Sequence, residues 1–128
     1  MEQHVAPEIA NKVAERLFSA IESGNVDAIR ALYSPEVGVW HNTDGKVQTR
    51  DENLATLGWV IKNIKNIRYT DVRRSPTQSG FVQQHVLRGI SQSGKEFALP
   101  ACLVVTIRAE QIVRIDEYLD SAHTAALR

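Results

Sequence analysis

Phe97-Ala98-Leu99-Pro100-Ala101-Cys102-Leu103-Val104-Val105-Thr106-Ile107 is the stretch that decides the fold. It is long enough for a strand and apolar on both faces, whereas a sheet with one wet face should alternate. One face can line a hollow beneath helices. The other needs cover as well, and a second copy of the chain is the simplest source. Working outward, the turn clusters Ser91-Gln92-Ser93-Gly94 and Arg108-Ala109-Glu110 bound this strand, and Ser75-Pro76-Thr77-Gln78-Ser79-Gly80 precedes its neighbour. Four strands are therefore predicted near residues 67–74, 81–90, 96–107 and 111–119. Connections this short imply antiparallel hairpins, since parallel neighbours need crossovers.

The first half of the chain reads differently. Ile9, Val13, Leu17 and Ile21 recur every fourth residue with Phe18 beside them, between Pro7, suited to a first helical turn, and Gly24, a natural stop. Asn25 can cap a second, short helix with Ile29, Leu32 and Tyr33 on its buried side, ended by Pro35. Residues 37–42 read as a first strand, and Thr43-Asp44-Gly45 as a turn. Thr49 and Glu52 have the spacing of a capping box, opening a helix to about Asn66 with Leu54, Leu57, Ile61 and Ile64 on one face. Helices first and strands second define an α+β chain, read as one domain over residues 1–128.

Composition removes several function classes. Fifteen basic residues balance fifteen acidic ones, so no global field favours nucleic acid or an anionic membrane. The 43% apolar and 23% charged content is that of an ordinary globular chain. No apolar run approaches a bilayer span, and Met1-Glu2-Gln3-His4 lacks the pattern of a secretory signal. Cys102 is the single cysteine, so no internal disulfide and no thiolate-rich zinc site can form. A cytoplasmic protein is expected.

Three titratable residues stand in phase with apolar strand positions. His41 shares a face with Val37 and Val39, His85 with Phe81, Gln83 and Leu87, and Glu117 with Val113, Ile115 and Leu119. A carboxylate among inward aliphatic side chains is costly unless paired or protonated, and histidine is the side chain best matched to moving protons near neutrality. The plainer alternative is that these are polar groups satisfied within a core. Two histidines and a carboxylate also make up a facial-triad iron set, but the spacing carries no local signature; no metal and no cofactor are expected. Cys102 reads as a small wall hydrophobe, and Trp59, off the main helical stripe, as a residue to close a pocket mouth. Trp40, out of phase with His41, is expected outside it.

The order of elements and two local strings carry a family resemblance. Ala31-Leu32-Tyr33-Ser34-Pro35-Glu36-Val37 leading to Val39-Trp40-His41-Asn42, and Ile112-Val113-Arg114-Ile115-Asp116-Glu117-Tyr118-Leu119-Asp120, resemble the nuclear transport factor 2-like superfamily, in its SnoaL-like branch. That branch is related to ketosteroid isomerase and limonene epoxide hydrolase. The resemblance spans about residues 6 to 122 and implies helices over a strongly curved sheet, a cone with one internal pocket, usually in a dimer.

Family positions carry over unevenly. The isomerase's general base falls on His41, but its oxyanion-binding tyrosine falls on Leu17 and its protonated aspartate on Cys102, neither an effective donor. Authentic steroid isomerisation is therefore not expected. The epoxide hydrolase's arginine and first aspartate fall on Gln83 and His85, its second carboxylate on Glu117, and its asparagine on His41 or Asn42. The central members of that relay are missing. The combined expectation is a protein binding an apolar polyketide-, terpenoid- or steroid-like compound and moving protons without a cofactor. His41 would be the base, His85 an acid or polariser, and Glu117 the group that orients one of them. Leu17, Val39, Trp59, Gln83, Cys102 and Ile115 would bind substrate. The alternative is a noncatalytic ligand-binding or dimerisation domain of the same fold. A homodimer through the outer sheet face is expected, with no nucleic-acid or membrane partner.

Overall fold

Pro7 opens α1 (Pro7–Ser23) and Gly24 closes it in the left-handed conformation at φ 72°, which a residue without Cβ adopts freely. The computed structural model describes residues 4–127; Met1, Glu2 and Gln3, read above for a signal sequence, lie outside them. Ala10, Val13, Ala14, Leu17, Phe18 and Ile21 form the buried face of α1. The Asn25 side chain accepts from the Ala28 amide at 3.0 Å and caps α2 (Val26–Leu32). The capping box closes in both directions: Thr49 N–H donates to Glu52 Oε1 at 2.9 Å, and Glu52 N–H to Thr49 Oγ1 at 3.3 Å. It starts α3 (Arg50–Asn63), which ends before Asn66 because Ile64 is already extended.

β1 (Tyr33–His41) and β2 (Val47–Gln48) lie between α2 and α3, and β3 (Lys65–Pro76), β4 (Gly80–Ile90), β5 (Glu96–Arg108) and β6 (Gln111–Leu119) follow α3. The sheet order is β2-β1-β6-β5-β4-β3. β3 through β6 form the expected antiparallel meander. β1, however, pairs parallel with β6, a non-local neighbour that hairpin logic does not reach. β1 also starts at Tyr33, four residues before the predicted strand; Pro35 falls where pairing is interrupted between Tyr33 and Gly38, so its missing N–H breaks no ladder bond. A short helix, α4 (Ser121–Thr124), and one 3-10 turn, Ala125–Leu127, end the described chain. No helix among the described residues is long and apolar enough to cross a membrane.

Two bulges reset which side chains face inward. Between Thr70 and Arg73 the register of β3 against β4 slips by one residue, with Asp71 at φ 53°. Inward positions are Ile67 and Tyr69 before the slip but Arg74 after it. On β6 the register slips opposite Thr106 and Ile107. Ile112 and Ile115 are both buried as a result, while Val113, predicted in phase with Glu117, is only half-buried. Bulges of this kind re-aim side chains beside functional sites.

The concave face of the sheet and the helices enclose a core of Leu17, Phe18, Ile29, Val37, Val39, Phe81, Val105, Ile112 and Ile115, with a smaller cluster of Ile64, Phe97 and Leu99 at the far end. On β5, Leu99, Leu103, Val105 and Ile107 point inward, and Ala98, Pro100 and Val104 outward. Among the described residues Val104 and Tyr118 are exposed large side chains, and Tyr118 meets Trp40 edge to face at 5.2 Å. An apolar patch of Val104, Trp40 and Tyr118 is thus partly open on the outer face of the sheet.

Candidate active site

Between the two core clusters lies a cavity of about 220 Å³. α1 supplies Leu17, Phe18 and Ile21, and α3 supplies Asn53, Leu57 and Val60; the sheet adds Val39, Tyr69, Leu87, Leu99, Leu103 and Ile115. His41, His85 and Glu117 are in its wall. The register accounts for the pairing of two of them: His41 stands opposite Glu117 across the β1–β6 ladder, and His41 Nε2 meets Glu117 Oε1 at 2.9 Å. His85 lines the same cavity from β4, with β6 and β5 between its strand and β1.

The electrostatics follow from this layout. The hydrogen bond from Glu117 pushes the His41 pKa above the ordinary 6.5; burial pulls against it, and the charges of Glu117 and Asp44 add to the rise. Since Nε2 is engaged with a carboxylate, it carries the proton, and Nδ1 holds the lone pair of the neutral ring. Burial lowers the His85 pKa, offset in part by the charge of Glu117. Tyr33 and Tyr69 are pushed well up, chiefly by burial and further by Glu117, so both stay neutral phenols. Tyr33 donates to Asn53 Oδ1 at 2.8 Å, Asn53 Nδ2 to Gln48 Oε1 at 2.9 Å, and Gln48 Nε2 to Thr56 Oγ1 at 3.1 Å. The Tyr33 proton is spent in that chain.

Three expected substrate-binding residues sit elsewhere. Gln83 is buried at 1% exposure behind the wall, bonded to Arg74 and His85 rather than open to a ligand. Cys102 alternates with the inward Leu103 and lies in an outer-face depression with Gln84, Pro100 and Tyr118; the inward neighbour lining the cavity is Ala101. Trp59 is 41% exposed and borders a surface depression with Thr56, Val60, Thr124 and Leu127. Leu17, Val39 and Ile115 do line the cavity. Sequence reasoning missed Tyr33, Asn53 and Tyr69. A signal for Asn53 was present: it precedes Leu57 and Val60 at i, i+4 and i+7 on one helical face. Among the described residues no group of three or more His, Cys, Asp or Glu side chains is arranged to hold a metal ion.

Comparison with known proteins agrees with this architecture. Residues 14–115 match the model of the SnoaL-like domain, and the chain belongs to that family. A candidate polyketide cyclase from Xanthomonas campestris is similar in structure at a TM-score of 0.82 and 17% identity, over 95% of this chain and 98% of that one. An LEH-like epoxide hydrolase from M. tuberculosis superposes at 0.79 with 11% identity over 94% and 90%. A protein of ketosteroid isomerase-like fold from Catenulispora acidiphila, in complex with trimethylamine, gives 0.76 at 17% identity over 87% of both chains. At such identities the likeness is one of fold. No curated protein matches the chain in sequence.

Proposed function

We propose that the cavity binds a small, mostly apolar oxygenated molecule and that His41 moves a proton on it without a cofactor. The observation that carries this reading is the 2.9 Å His41–Glu117 contact in the wall of an apolar hollow. A carboxylate bonded to one imidazole nitrogen fixes the ring and raises the basicity of the other. His41 Nδ1 would take a proton from a carbon next to a carbonyl, the electron pair moving onto the carbonyl oxygen, and return that proton to another carbon. His85 would face the oxygen. The volume bounds the substrate: a cavity of about 150 Å³ holds benzene, so 220 Å³ suits one or two rings. Names among the structural neighbours, polyketide cyclase and epoxide hydrolase, are compatible with such a compound.

The experiment is deuterium exchange at the α-carbons of cyclohexanone and 2-decalone in heavy water, followed by NMR. The wild-type protein should accelerate exchange over buffer, and His41→Ala should remove about two to four orders of magnitude of it. Binding of both ketones without any acceleration sinks the catalytic reading. It would leave the noncatalytic pocket, which Leu17 at the family's oxyanion-tyrosine position favours. A second copy of the chain covering the outer sheet face around Val104 and Tyr118 is proposed on the exposed apolar surface there. Light scattering at micromolar concentration should give twice the chain mass, and a monomer mass excludes the dimer. The lone Cys102 fits a cytoplasmic setting.

A further inference from the structure

Arg74, Gln83 and His85 form a relay, buried at Gln83 and His85, whose donors and acceptors can be assigned without ambiguity. Arg74 has donors only. Its Nη1 lies 2.9 Å from Gln83 Oε1, so the amide oxygen of Gln83 faces Arg74. The amide nitrogen must then face the other way, and it lies 2.9 Å from His85 Nδ1. An amide NH₂ can only donate, hence Nδ1 must accept and carries no proton. A neutral imidazole with a bare Nδ1 has its proton on Nε2. The opposite tautomer, or an imidazolium, would set N–H against N–H inside a buried contact, at the cost of an unsatisfied donor.

The rest of the fold secures this arrangement. Arg74 Nε donates to Asn11 Oδ1 at 3.0 Å, and Nη2 pairs with Glu15 Oε1 at 3.7 Å, both on α1. The β3 bulge at Asp71 puts Arg74, and not Arg73, beside Gln83. Phe18 and Tyr69 meet the His85 ring edge to face at 5.4 and 4.7 Å, which restrains its rotation. With Gln83 on the Nδ1 edge, no described residue accepts from Nε2, and the ring lines the cavity.

We infer that Arg74 and Gln83 are positioning residues that lock His85 as a neutral Nε2–H donor, so that the cavity takes a ligand presenting an acceptor oxygen, a carbonyl or its enolate, to that nitrogen. This deepens the proposed function and rests on it for the role of the oxygen in turnover; the tautomer does not. A fixed neutral donor aimed at developing negative charge needs no reorganisation during reaction. His85 is then no proton acid, and the two imidazoles have distinct roles in one cavity.

The first test is ¹⁵N NMR of the histidine rings in the ligand-free wild-type protein. His85 Nδ1 should appear pyridine-like and Nε2 pyrrole-like; the reverse, or a charged ring at pH 7.5, overturns the relay whatever the enzyme does. Gln83→Glu replaces the donor by an acceptor and should move the proton to Nδ1. Arg74→Met frees the Gln83 amide to turn and should give mixed tautomers, whereas Arg74→Lys, which still donates, should restore the wild-type spectrum. Unchanged tautomers in folded Gln83→Glu overturn the assignment. For the ligand, cyclohexanone should shift the Nε2 resonance and methylenecyclohexane, its hydrocarbon counterpart, should not. Gln83→Glu should weaken ketone binding about tenfold or more. Equal responses to both probes overturn the carbonyl site. A correct tautomer and ketone shift with no α-exchange would refute catalysis and leave the donor site standing.

Discussion

Glu117→Gln isolates the charge of the His41–Glu117 pair while keeping its shape. The two side chains are 19% and 23% exposed and 2.9 Å apart, so the contact is largely shielded from solvent screening. A hydrogen bond to a charged group contributes about 1.5–3 kcal/mol net, a neutral one about 0.5–1.5 kcal/mol. The folded pKa of His41 is raised above 6.5. Its charge-assisted stabilisation is therefore complete below pH 6.5 and drains away as pH rises through the elevated folded value. His85 works in the opposite sense: burial lowers its pKa, so its contribution is full above 6.5 and falls as pH drops. Losing the Glu117 field would depress His85 further, which also penalises the variant at low pH. The variant should then be destabilised by about 1 kcal/mol more at pH 6 than at pH 9. With urea slopes of about 1–3 kcal/mol per molar, the gap in midpoint shift is about 0.3–1 M. Urea titration followed by tryptophan fluorescence at both pH values measures it. A destabilisation equal at the two pH values, or larger at pH 9, refutes the assignment of a charged pair.

Other expectations follow from burial and volume. Phe81 is fully buried, and Phe81→Ala should cost about 3–5 kcal/mol of unfolding free energy. A Cβ on Gly80 would lie 2.0 Å from the Val105 carbonyl oxygen, so Gly80→Ala should lower stability by about 1–3 kcal/mol through forced displacement of β5; a neutral result in thermal unfolding contradicts that contact. Ala101→Leu fills part of the cavity from its floor and should abolish cyclohexanone binding by NMR titration without lowering the melting temperature. If His41 is the base, kcat/KM for exchange should rise with pH through a value above 6.5, and in Glu117→Gln that rise should move to lower pH.

The α+β order, the capping box at Thr49 and the inward phase of His41 and His85 are legible because each rests on local chemistry or on unbroken local alternation, and that of Glu117 because Ile115 and Leu119 flank it beyond the bulge. What stayed hidden depends on slips of register. The bulge at Asp71 turns Arg74 inward, and that at Val113 breaks the alternation that links it to Glu117; neither is marked by a glycine. Its place in an apolar stretch and a family position both point Cys102 at the pocket wall, yet the unbroken alternation of β5 puts Ala101 there. Gln83 has the inward phase, but a partner 9 positions away, Arg74, engages its oxygen. The parallel β1–β6 pair unites distant segments, and no turn signal announces it.

That parallel pair has a consequence for how the chain assembles. Asn42 accepts from the Leu119 amide across 77 positions, so β1 gains its principal neighbour only when β6 has emerged from the ribosome. Until then β1 has only the two-residue strand β2 beside it, and ordering it within the full sheet must wait for the costliest loop closure. The meander of β3 to β5, built from short-range hairpins, can form earlier. The His41–Glu117 pair is thus expected to be the last part of the domain to come together in synthesis, and mutations along the β1–β6 seam to slow maturation more than they lower final stability.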